Sequence, residues 1–119
     1  MTNKEIGKQG EEIAKNFLIK KGFKILEMNY KYSKIAEIDI IAAKNKVVHF
    51  VEVKTRTQKT FGMPFEAINY RKLQSIFACA KYYLSNTKEK FKSSQIDAVG
   101  IILNKNNEID IDFIENISL

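Results

Sequence analysis

Asp39, Glu52 and Lys54 stand inside two runs made mostly of Ile, Val, Ala and Phe, residues 36–43 and 47–54. Two carboxylates and an ammonium are the groups that phosphodiester hydrolysis around a cation requires. Hard oxygen ligands suit Mg²⁺ or Mn²⁺, which take one or two carboxylates, waters and substrate phosphate oxygens. A neighbouring lysine could orient an attacking water or stabilise charge developing on the phosphate. Whether these side chains meet depends on the elements that carry them.

Both runs have strand composition, and alternate side chains of a strand share a face. Glu37, Asp39 and Ile41 are therefore expected to point one way, and Val48, Phe50, Glu52 and Lys54 to share a face of the next strand. A two-residue turn at Asn45-Lys46 makes paired residue numbers sum to 91, setting Asp39 opposite Glu52 and Glu37 opposite Lys54. A one-residue slip would destroy that register, and Asn-Lys is a weaker turn signal than Asn-Gly. In this register the two carboxylates face each other at roughly 5 Å between Cβ atoms. They repel unless a divalent cation lies between them. An exposed edge strand would explain Glu37 and Lys54 as a surface pair. It does not explain Asp39 against Glu52 among apolar neighbours, with no lysine placed to neutralise both.

The remaining chain supplies an α/β frame. Residues 2–22 read as a helix, with Thr2 and Glu5 as a capping box and Gly22 as the stop. Ile6, Gly10, Ile13, Ala14, Phe17 and Leu18 form its inner stripe. Residues 23–32 read as a strand. Residues 55–68 form a loop holding Gly62 and the only proline, Pro64. Asn69 caps a second helix whose expected buried stripe is Leu73, Ile76, Phe77, Ala80 and Leu84. Cys79 lies near that stripe as a small core residue. Two further strands, residues 95–103 and 108–117, are joined by a turn at 104–108; Asp110 and Asp112 alternate with apolar residues as the wet face of the last one. The order αβββαββ predicts helices packed on a mixed sheet within a single domain spanning residues 1–119.

Composition limits the function classes. No apolar run approaches the ~20 residues of a membrane span, and the N-terminal residues lack a hydrophobic signal region, so a cytoplasmic protein is expected. One cysteine and one histidine exclude a disulfide framework and a Cys/His zinc site. His49 alternates away from Glu52 and reads as a satisfied sheet histidine. The formal net charge is +6, and it is unevenly spread. Residues 106–119 hold Glu108, Asp110, Asp112 and Glu115 and no base, so all 20 Lys and Arg lie in the first 105 residues. That balance suits a polyanion bound through phosphate contacts, although a Lys-rich solvated surface would give the same numbers.

Asp39, Glu52 and Lys54 also match the PD-(D/E)XK nuclease signature, here D-x12-E-x-K. Around them, "GKQGEEIAKNFLIKKGFKILEMNY", "EIDIIA", "FVEVKTR", "FGMPFEAI" and "RKLQSIFACAKYYL" occur in that order. Together they resemble the YraN family of small bacterial proteins, relatives of the archaeal Holliday-junction resolvases within the restriction-endonuclease-like fold. The resemblance implies a three-layer core and a nuclease acting on DNA, at branched or otherwise structured sites. It makes Asp39 and Glu52 the metal-binding carboxylates, adds the backbone carbonyl of Val53 as a further ligand, and makes Lys54 the catalytic lysine. Glu11, in the helical "GEE", matches the glutamate that completes resolvase-like sites. The chain departs from the family pattern at Ala36, where a glycine is usual, at Gln95-Ile96, where Arg-Phe is usual, and at Tyr70, where proline is usual. None touches the acid-acid-lysine set, but the missing late arginine removes one expected substrate contact.

Arg71 and Lys72 stand in the first turn of their helix, where positive charge opposes the helix dipole; an anionic partner would justify them. Arg56 and Lys59, beside Lys54, could track a phosphate backbone, and Gln74, one turn along the helix, could line the site. The expected partner is thus nucleic acid, DNA before RNA, and a homodimer is compatible with this reading. Two alternatives are a nucleic-acid-binding module without catalysis and an interaction adaptor in DNA uptake or repair.

Overall fold

The computed structural model describes residues 1–34, 36–57 and 68–117. Its elements are α1 (Asn3–Lys20), β1 (Lys24–Tyr32), β2 (Ala36–Lys44), β3 (Val47–Arg56), α2 (Tyr70–Asn86), β4 (Ser93–Leu103) and β5 (Ile109–Ile114), in the expected order. The Thr2 hydroxyl accepts the Glu5 N–H at 3.1 Å while the Glu5 carboxylate accepts the Thr2 N–H, which closes the capping box. Gly22, at φ +93°, lets the chain turn out of the helix into β1.

The strands form one sheet in the order β1-β2-β3-β4-β5. All pairs are antiparallel except β3–β4, whose parallel pairing is made possible by the crossover through α2. Asn45 and Lys46 take φ of 53° and 64°, both left-handed, as a two-residue hairpin turn demands. The resulting ladder pairs Lys44 with Val47 and runs to Ile40 with Val51, the register expected.

The helices cover opposite faces. Ala14 and Leu18 of α1 pack on Ile40, Ala42, Val51, Val53, Val99 and Ile101. Ile76, Cys79, Ala80 and Tyr83 of α2 pack on Ile38, Ile41, Val48 and Phe50. The result is a three-layer α/β core. Gly10 lets α1 approach β3 closely, since a Cβ there would strike the side chain of Thr55.

Two expectations are corrected. The buried stripe of α2 includes Cys79 and Tyr83, whereas Phe77 and Leu84 are 47% and 38% exposed. The Tyr83 ring packs edge-on against Tyr30 at 5.2 Å and Phe50 at 5.9 Å, which rolls the helix toward β1. Alternation along β2 is also broken at Asp39. Ile38 and Ile41 join the α2 layer while Ile40 joins the α1 layer, so the single face expected for Glu37, Asp39 and Ile41 does not form. β1 changes face in step: Met28 packs toward α1 and Tyr30 toward α2. Asn29 lies between them at φ +51°, which makes the change possible.

Candidate metal and phosphate site

The face change puts Asp39 where β2 and β3 part. Beyond Ile40–Val51 the ladder stops, and the Asp39 carboxylate takes the Val53 N–H at 2.8 Å in place of a strand partner. The expected cross-strand pairs of Asp39 with Glu52 and of Glu37 with Lys54 are therefore both absent from the ladder, although Asp39 stays close enough to Glu52 to feel its charge. Glu52 follows on β3, 2% exposed and facing α2. Its Oε2 lies 3.3 Å from the Lys72 ammonium and 3.7 Å from that of Lys54. Among the described residues its Oε1 is buried with no hydrogen-bond partner. A buried carboxylate oxygen left in that state is costly, and either a bound cation or the proton of a neutral Asp39, which is within hydrogen-bonding reach of Glu52, would relieve it.

Burial and the adjacent charge of Glu52 push the Asp39 carboxyl up to about 8, against the opposing pull of the Val53 N–H and Lys72. Two acids thus share a desolvated corner in which Asp39 is pushed toward its protonated form. Contrary to expectation a lysine is placed beside both, since Lys72 pairs with Glu52 and also pulls on Asp39. Glu11 comes to the margin of this corner from α1. Its carboxyl is also raised, first by burial and then by Asp39 and Glu37, while the Asn29 side-chain amide donates to it at 2.9 Å and opposes the rise. Asn29 thus serves the site through its backbone and its side chain. Only a polar residue between two apolar ones in β1 marks it in the sequence.

The other candidates are distributed unevenly. Lys72, expected as a nucleic-acid contact, faces Glu52 because the Asn69 cap, accepting the Lys72 N–H at 2.9 Å, starts α2 beside β3. Arg71 is exposed. Arg56 is half-buried at the end of β3, with its Nε buried and without a hydrogen-bond partner among the described residues. Gln74 is exposed and, two residues before buried Ile76, turned about 200° from it around the helix, so it is not gathered with the acids. Val53 gives its N–H to Asp39. Lys59 lies outside the described residues.

A second polar group sits at the other end of β3. His49, Asp97 and Glu115 bring possible ligand atoms within 4.8 Å of one another. Both oxygens of buried Asp97 are already engaged: Oδ2 by His49 Nδ1 at 2.6 Å, and Oδ1 by the Gln95 amide and the Asn116 N–H, each at 2.8 Å. We read it as a clasp joining β3, β4 and the C-terminal segment, with His49 satisfied as expected.

A three-layer α/β core with carboxylates at the parting of two central strands is the class this chain defines. The model of the uncharacterised protein family UPF0102, also known as the YraN family, matches residues 10–101. A UPF0102 protein of Dictyoglomus thermophilum is 48% identical over 109 residues, covering 92% of each chain. One from Clostridium novyi is 43% identical over 115 residues, covering 96% of this chain and 95% of its own. One from Clostridioides difficile is 47% identical over 96 residues, covering 76% and 83%. The chain belongs to the UPF0102 family.

Proposed function

We propose that this protein is a metal-dependent nuclease hydrolysing DNA phosphodiester bonds, with branched or structured DNA as the preferred form. The observation that supports it most is the closeness of Asp39 to Glu52, whose Oε1 is buried without a hydrogen-bond partner among the described residues. Such a donor set fits Mg²⁺ or Mn²⁺, held by the two carboxylates, with the Val53 carbonyl as the further ligand implied by the PD-(D/E)XK resemblance. When bound, the ion would neutralise the acids and supply Lewis acidity at a phosphate oxygen. The protein's own groups do the rest. Lys54 and Lys72, now turned to Glu52, are placed to meet phosphate charge as it develops. In this reading Glu11, which accepts from Asn29, takes a proton from an attacking water. Arg71 and Arg56 serve as backbone contacts in this reading.

The test is cleavage of linear, single-stranded and branched DNA with Mg²⁺ or Mn²⁺, comparing the native protein with Asp39→Ala and Lys54→Ala. Both substitutions are expected to lower cleavage at least a hundredfold, on the order of the 2.7–4 kcal/mol that one transition-state contact supplies. Activity surviving both would sink the assignment. A second reading, binding without hydrolysis, has the two lysines facing Glu52 in its favour, since they already offset its charge. It predicts DNA affinity indifferent to chelator and to Asp39→Ala.

A further inference from the structure

Next to the acid corner lies a cleft of about 480 Å³ lined by Lys31, Lys34, Ala36, Glu37 and Lys72. Lys72 links cleft and corner, because the same ammonium stands 3.3 Å from Glu52. With Lys72 shared with Glu52, Lys31 and Lys34 against the one carboxylate of Glu37 still leave the cleft a cationic lining suited to phosphates. Where β1 ends, Tyr32 pairs with Ala36, one of the residues that line the cleft. The Tyr32 ring stacks on Tyr82 of α2 with centroids 4.5 Å apart and planes 22° from parallel. The two tyrosines are 39% and 41% exposed as whole residues. Inside them Tyr30 contacts Tyr82 at 6.3 Å and the buried Tyr83 at 5.2 Å, so the stack forms the outer margin of the aromatic cluster.

A cationic groove beside open, stacked aromatic faces is how proteins hold unpaired nucleotides, because every base presents a π-face. In a continuous duplex those faces are covered by neighbouring bases. We propose that the Lys31–Lys34–Lys72 cleft and the Tyr32–Tyr82 stack form a nucleotide groove leading to the acid corner, and that the favoured substrate has unpaired bases beside the bond to be cut. This deepens the nuclease reading and rests on it for the bond-breaking step alone.

Binding is measured apart from cleavage, by fluorescence anisotropy of labelled DNA in chelator, for a short single strand and the duplex of the same sequence. The native protein is expected to bind the single strand more tightly. The double variant Tyr32→Leu/Tyr82→Leu keeps apolar bulk but no π-face. Once shown to be folded by circular dichroism, it should lose roughly five- to a hundred-fold in single-strand affinity per stacked base, with little change on duplex. Tyr32→Phe/Tyr82→Phe should retain native affinity. If the double Leu variant does not fold, Tyr32→Leu alone, at the end of an edge strand, provides the same comparison. Unchanged single-strand affinity in the Leu variant, or native preference for duplex, overturns the groove and leaves the nuclease reading standing. Failure of both DNA forms to bind overturns the groove, and the Mg²⁺ cleavage assay then decides the nuclease reading on its own.

Discussion

Asp39 couples the site to pH. Its folded carboxyl, at about 8 against an ordinary 3.8, holds a proton that the unfolded chain releases. The associated stability is complete below the unfolded value and lost as pH climbs through about 8. In chelator, the native melting temperature should therefore fall between mildly acidic and mildly alkaline pH. Asp39→Asn, which cannot ionise, should flatten that fall and melt several degrees higher at the alkaline end. Mg²⁺ must displace the proton, so its stabilising effect should grow with pH. Thermal denaturation over a pH series with and without the ion measures both effects. A native profile that is flat in chelator would contradict this account of the corner.

At the scale of elements, the seat of α1 on β3 is the position to test. Gly10→Ala drives a methyl into Thr55, and the helix must lift, costing about 1–3 kcal/mol and moving the adjacent Glu11. Gly7→Ala, on the same helix with nothing within 4 Å, should instead stabilise by about 1 kcal/mol through helix propensity. Denaturant unfolding of the two variants gives opposite signs if the packing is as described. These elements were legible to unequal degrees. Order, caps and hairpin register followed from local signals: Thr2 with Glu5, Asn69, and a turn whose length sets the pairing. The stripe of α2 was misread by part of a turn, because Tyr83 finds aromatic partners on β1 and β3 that helical spacing cannot reveal. Asp39, Glu52 and Lys54 were visible through type and spacing. The splay that lets Asp39 take a backbone N–H was not, because it depends on a left-handed Asn29 on another strand. The His49–Asp97 contact spans 48 positions and leaves no local pattern.

Across the whole molecule, charge and sheet margins govern what the protein meets. A +6 chain with its bases in the first 105 residues should bind DNA with affinity that falls steeply as salt rises. Arg71→Ala should reduce the slope of log Kd against log salt by about one, uniformly across sequences, if Arg71 contacts phosphate. Anisotropy titrations at several salt concentrations report that slope. The outer strands matter in a different way. β5 is six residues long and carries Asp110 and Asp112 outward, which discourages pairing with another chain. β1 is longer, but its register shifts between Ile25 and Glu27, and it turns again at Asn29. Asn29 thus roughens a border that would otherwise be an open template for intermolecular strand addition. Asn29→Val, whose branched side chain resists positive φ, should straighten the strand and release Glu11. Light scattering should then show self-association rising as cleavage falls. Solubility and chemistry would hang on one side chain.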